Sequence, residues 1–123
     1  MRLIIPISFV RYELEPVGKI FPLTSIIKAA KKAKMGLGIP IGKAPKGACF
    51  SKISITSKSG VGRTLFMVRT KDEKIIPLLI RTKKDKVGYN MTPKNKLFSA
   101  ALDKNLLRTY NDLKKKKYEV IEI

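Results

Sequence analysis

The side chains best suited to chemistry in this chain are Lys52, Lys58, Arg63, Arg69, Arg81, Lys83, Lys84, Lys86 and Tyr89. They fall on, or directly after, a run of apolar segments. The chemistry they suit is that of a phosphodiester. Arg and Lys neutralise phosphate oxygens, and a Tyr ring stacks on an unpaired base. The same set also suits cleavage of RNA by its own ribose 2′-OH, which needs a base, an acid and a cation for the charged pentacoordinate phosphorus. A Lys whose pKa is lowered by neighbouring cations serves as base, Arg stabilises the developing charge, and Tyr positions or donates. Passive binding of the same backbone is the simpler alternative.

Other chemistry is closed off by what is missing. The 123 residues contain no His, no Trp and one Cys, Cys49. Nucleophile–His pairs are absent, so Cys49 is expected to be a small buried residue in a strand. Ordinary zinc sites are excluded, no internal disulfide can form, and no cofactor or metal is implied. The nine carboxylates are scattered, without the close pair that glycoside hydrolysis or two-metal phosphoryl transfer uses. Gly60-Val61-Gly62-Arg63 has the wrong spacing for a phosphate-binding loop and fits a turn in which glycine supplies positive φ.

The charge balance points the same way. Against those nine acids stand 27 Lys and Arg, a formal net charge of +18. Such an excess costs self-repulsion and implies a polyanionic or acidic partner. From Pro16 to Lys71 there is no acid but twelve basic residues, Lys43 and Lys46 among them. An ordinary soluble face mixes signs; this one does not. Lys114–Lys117 instead reads as the cationic last turn of a helix. The longest apolar runs, Leu3–Ile7 and Ile75–Ile80, are far shorter than the ~20 residues of a membrane helix. No signal peptide is expected at the N-terminus, and the single Cys fits a reducing, cytoplasmic compartment.

Hydrophobic residues make up 44% of the chain, enough for the core of one domain over 1–123. Arg2–Ser8 reads as a first strand, at an edge because of Pro6. Thr24 or Ser25 starts a helix to about Lys34, with Ile26, Ile27, Ala30 and Ala33 on one face. The glycines and prolines from Gly36 to Gly47 predict an irregular connection without helix or strand. Three strands follow as an antiparallel meander: Cys49–Ser57, Arg63–Thr70 and Ile75–Arg81, with turns at Ser59–Gly62 and Lys71–Lys74. Thr92-Pro93 predicts a helix start, and Asp103 the start of a further helix through Leu113. Tyr118–Ile123 alternates and is compatible with a short terminal strand. The fold class is α+β: a small antiparallel, mixed-edge sheet of about four strands, with N-terminal helix or helices and a C-terminal helix packed on it.

These pieces, in this order, resemble the RelE/ParE superfamily of bacterial toxin–antitoxin toxins, especially its HigB-like members. The resemblance rests on Lys52-Ile53-Ser54-Ile55, on Lys58-Ser59-Gly60-Val61-Gly62-Arg63, and on Ile75–Ile80 running into Arg81-Thr82-Lys83-Lys84-Asp85-Lys86. It covers about two-thirds of the chain. Departures are Ser54 where an Arg is usual, the long Gly36–Gly47 loop, Pro77 inside a strand, and the extension after Tyr89. The resemblance implies an endoribonuclease that cleaves mRNA on the ribosome. Lys52 and Lys58 would bind phosphate or act as base, and Arg63 would stabilise the phosphorane. Arg81, Lys83 or Lys84 would supply the acid or electrostatic role, and Tyr89 would orient the nucleotide. Lys43, Lys46, Arg69 and Lys86 are further candidate RNA contacts. An acidic cognate antitoxin is the implied partner, with operator DNA bound only through the complex. The alternatives are a ParE-like inhibitor of DNA gyrase and a non-catalytic RNA- or ribosome-binding protein.

Overall fold

The computed structural model describes residues 1–123. It is α+β, with one mixed sheet of six strands: β1 (Arg2–Pro6), β2 (Ile39–Pro40), β3 (Cys49–Ser57), β4 (Gly60–Arg69), β5 (Lys74–Thr82) and β6 (Tyr118–Glu122). Their order is β2-β3-β4-β5-β1-β6. After β1 the chain turns through a single helical turn, α1 (Ile7–Phe9), then a π-helical turn (Val10–Leu14) and a 3₁₀ turn (Glu15–Val17). The two long helices are α2 (Leu23–Lys34) and α3 (Lys96–Lys114). No helix is long and apolar enough to cross a membrane.

The meander β3-β4-β5 forms as its alternation requires. The two sheet faces pack separately, one under each helix. Leu3, Ile5, Ile53, Ile55, Phe66 and Val68 meet Ile26, Ala29, Ala30 and Ala33 of α2. Ile4, Phe50, Leu65, Met67 and Leu79 meet Phe98 and Leu102 of α3. Each such large buried side chain is worth about 1.5–3 kcal/mol, so the sheet with its two helical layers is the bulk of the driving force.

Pro77 is accommodated by a bulge. Leu65 pairs with Leu79, but Phe66 pairs with Pro77, so Leu78 is skipped in the register. The missing proline N–H then breaks no ladder that a regular strand would need. The bulge also turns Leu78 to the same face as Leu79, so both join the apolar cluster under α3.

Several expectations are corrected. The sheet has six strands, not about four, and it is not purely antiparallel. β1 is no edge strand: it lies parallel to β5 and antiparallel to β6, and Pro6 is tolerated as its last residue. Ile39–Pro40 forms an edge strand within the segment expected to be irregular, pairing with Ser51 and Lys52. Proline is acceptable there because its blank side faces away from the ladder.

α3 begins at Lys96, not at Thr92-Pro93. Asn95 is the cap, its side chain accepting from the Leu97 N–H at 3.1 Å. The helix then runs unbroken through Asp103. Cys49 lies in a strand but is exposed, at the end where β2 has already left β3. The β3–β4 turn is the two residues Lys58-Ser59, and positive φ occurs at Gly36, Gly42 and Gly47 rather than Gly60 or Gly62. Gly62 is required by packing: a Cβ there would sit 2.7 Å from the Phe21 ring and 2.5 Å from the Arg81 carbonyl.

Candidate nucleic-acid interface

α3 covers only the β5/β1 side of its sheet face. Further along, loops 41–48 and 83–95 fold over the same face, burying Ile41, Val87 and Met91. The upper ends of β3 and β4 stay open between them. There the alternation that points Ile53 and Ile55 at α2 turns Lys52 the other way, beside Arg63.

The register pairs Arg63 with Ser54 on β3 and with Arg81 on β5. Lys52 is therefore the diagonal neighbour of Arg63, about 7–8 Å away between strands. Partial burial lowers the Lys52 pKa from the ordinary lysine value, and the nearby Arg63 guanidinium lowers it further. Neither side chain is paired with a carboxylate.

Arg63 also shapes the neighbouring loop. Its Nη1 donates to the carbonyl oxygens of Tyr89 at 3.0 Å and Gly88 at 3.3 Å. Asp85, an isolated acid amid lysines, holds the loop from within: its Oδ1 accepts from the N–H groups of Val87 at 2.8 Å and Gly88 at 3.3 Å. Gly88 lies so close to the Thr82 carbonyl and the Arg81 Cβ that no side chain fits. The outcome is a fixed loop that presents Lys83, Lys84 and Lys86 to solvent and leaves Tyr89 72% exposed. The Lys83 N–H donates to the Val61 carbonyl at 3.0 Å, which brings this loop beside the hairpin whose tip carries Lys58.

Arg63, Lys83, Lys84, Lys86 and Tyr89 are thus gathered toward the β3–β4 hairpin, with Lys58 at its tip, while Lys52 sits beside Arg63 on the inner side, six residues and roughly 20 Å along β3 from Lys58. Lys43 and Lys46 are exposed on loop 41–48, whose Gly42 abuts Pro93 of the neighbouring loop, so they flank the same face. Arg69 is not with them. It lies six residues along β4 from Arg63, roughly 20 Å away in an extended strand, and pairs with Asp72 at 2.7 Å.

Arg81 faces the site but is engaged elsewhere. Its Nε and Nη2 donate to the two oxygens of Glu13 at 3.0 and 2.8 Å, and its Nη1 reaches Asp85 at 3.4 Å. Those bonds, chiefly the one to Glu13, raise its pKa still further, so it is a permanent cation. Glu13 is only 3% exposed and also accepts from the Ile80 N–H at 3.0 Å. The topology explains why it is needed. β1 pairs with β5 only at Arg2 and Leu3 and then diverges, leaving the far half of β5 without a ladder partner on that side. Glu13 takes the Ile80 N–H there, and Asn105 of α3 donates to the Leu78 carbonyl at 2.9 Å. No sequence signal marks Glu13 for this role; it falls in a segment with neither strand nor helix periodicity.

No three His, Cys, Asp or Glu side chains come together as a metal site. No family model matches the chain, and no curated protein or solved structure matches it at a significant level.

Proposed function

We propose that this chain is a RelE/HigB-like toxin, a metal-independent endoribonuclease that cuts translated mRNA and is held inactive by an acidic antitoxin. The observation that carries the reading is the Lys52–Arg63 pair: a lysine of lowered pKa beside an unpaired arginine on an open strand face, with Tyr89 exposed next to it.

In this reading Lys52 takes the proton from the ribose 2′-OH. Arg63 stabilises the charge that develops on phosphorus, and Lys84 or Lys83 protonates the 5′-oxygen as it leaves. Tyr89 stacks on the exposed base, and Lys58, Lys86, Lys43 and Lys46 bind flanking phosphates. Arg81 keeps only an electrostatic and positioning role, since Glu13 and Asp85 already occupy its donors. The antitoxin would neutralise this basic face, and the complex would bind operator DNA.

A second reading is RNA binding without cleavage. It is favoured by the engagement of Arg63 with two loop carbonyls, which leaves fewer of its donors free for a phosphorane. Induced expression followed by mapping of mRNA 5′ ends separates the two. New in-frame ends within translated messages are expected, and Arg63→Ala and Lys84→Ala are expected to abolish both the ends and growth inhibition while remaining folded. Growth arrest with intact mRNA and double-strand DNA breaks would instead mark a gyrase inhibitor.

A further inference from the structure

A second cationic surface lies on the other side of Arg81. Arg108 of α3 stacks on Tyr12 of the π-helical turn, its guanidinium carbon 3.8 Å from the ring centroid. This pair forms a ridge between two clefts. One, of about 400 Å³, is bordered by Arg81, Lys104 and Arg108; the other, of about 270 Å³, by Arg11, Arg108 and Lys117. We propose that this ridge and its clefts bind the phosphodiester backbone of an RNA strand continuing past Arg81 from the Lys52–Arg63 site. The proposal rests on the RNA-binding reading above.

Three observations support it. First, the carboxylates that reach these clefts are already committed. Glu13 is held by Arg81 and the Ile80 N–H, and Asp112 accepts from the N–H and hydroxyl of Ser8. Arg11, Lys104, Arg108 and Lys117 have no carboxylate partner, so the clefts are strongly positive.

Second, Arg108 is preorganised. The Tyr12 ring supports its plane and Asn105 Oδ1 accepts from Nη1 at 3.3 Å, leaving its remaining N–H groups for a phosphate. A fork fixed in this way loses little entropy on binding a planar anion. Tyr12, itself 49% exposed, offers an aromatic edge beside it.

Third, the surface is continuous with the first site. Arg81 borders the larger cleft and pairs in register with Arg63. A strand leaving Arg63 would pass Arg81, whose charge Glu13 and Asp85 already meet, before reaching the unpaired Lys104 and Arg108.

The test uses the whole protein and a 2′-O-methyl single-stranded oligoribonucleotide, which cannot be cut. Binding is titrated over a range of salt for wild type, R11Q/K104Q/R108Q and K104Q. Single-strand binding loses about 0.7 in the log–log salt slope per phosphate contact released. The triple variant should therefore lower the slope by roughly 2, and K104Q, an exposed and unpaired lysine, by roughly 0.7. Melting curves check that each variant is folded. Unchanged slopes in both variants would overturn the proposal. So would polyglutamate binding that the triple variant loses while its RNA affinity stays at the wild-type level, which would mark a surface for an acidic protein. Because no cleavage is measured, failure of the nuclease reading leaves this result interpretable, and R63A cleavage assays report on that reading separately.

Discussion

Removing the Glu13 carboxylate should cost this protein a large part of its stability, although Glu13 is a charged side chain and no member of either apolar cluster. Glu13→Ala leaves the Ile80 N–H without a partner in a buried strand, which costs about 1–3 kcal/mol. It also strips Arg81 of two bonds at 3.0 and 2.8 Å. Arg81 is 25% exposed and keeps Asp85, so that loss lies near the low end for a charged hydrogen bond, about 1–2 kcal/mol. Together the cost is roughly 3 kcal/mol. For a domain of this size that lowers Tm by roughly 10–15 °C. At a urea slope of about 2 kcal/mol/M, the midpoint falls by roughly 1.5 M. Urea titration followed by circular dichroism measures this directly. Arg81→Met should also destabilise, because it leaves the buried carboxylate with only the Ile80 N–H. Combining Arg81→Met with Glu13→Ala should cost less than the two separately, since the second change removes the charge that the first orphaned. A midpoint shift in Glu13→Ala worth less than about 0.5 kcal/mol, or strictly additive losses, would refute the role given to Glu13.

Two further outcomes concern the site itself. If Lys52 is the base, the cleavage rate should rise with pH and level off below the ordinary lysine range near 10.4, because burial and Arg63 both favour its neutral form. In Arg63→Lys, which keeps a charge, the bend should persist; in Arg63→Gln it should move upward while the rate drops. The sign for stability follows: between the lowered folded pKa and the unfolded value the unfolded chain binds more protons, so Lys52's contribution to stability rises with pH across that window and is absent below it. A Lys52→Met variant with an unchanged pH–rate profile would exclude Lys52 as base. Separately, Gly62→Ala drives a Cβ against the Phe21 ring and the Arg81 carbonyl, and should destabilise by about 1–3 kcal/mol. A melting temperature equal to wild type would show that β4 can shift there freely.

The meander was legible because period-2 alternation and turn residues are local signals, and Leu65–Val68 could only be a central strand. α2 was legible through Ile26, Ala30 and Ala33, but its start was not: it begins at Leu23 after Pro22, without the Thr24 or Ser25 cap that the sequence predicts. The misses are where tertiary pairing overrode local preference. β2 is two residues long, and Pro40 argues against a strand unless the edge it forms is known in advance. The parallel partnership of β1 with β5 depends on a crossover that no short window contains. The α3 start moved from Thr92 to Asn95 because Asn95 caps the helix while donating to the Lys86 and Asn90 carbonyls, a loop contact invisible from spacing. Of the site, the cations were named from the sequence, but their state was not. That Arg69 lies at the far end of β4 from Arg63 was already implied by the strand Arg63–Thr70, but that Arg69 pairs with Asp72 and that Arg81 belongs to Glu13 follow only from the fold.

Four of the nine acids have a structural use that bears on the +18 charge. Glu13 closes the open edge of β5, Asp85 holds the basic loop, Asp112 secures Ser8, and Asp72 pins the β4–β5 turn through Arg69. Of the 27 Lys and Arg, only Arg69 and Arg81 are paired with a carboxylate. The carboxylates that make defined contacts therefore build the fold and do not neutralise its surface, so the repulsion among the remaining cations opposes the compact state. Salt should then act with opposite signs on two measurements. Raising ionic strength through the range where the Debye length falls to about 8 Å screens that repulsion and should raise Tm. The same change weakens RNA binding, because released counterions no longer favour the complex. A protein whose stability falls with added salt over that range would have its surface charge balanced by pairs that the structure does not contain, and the cationic faces assigned here to RNA would lose their premise.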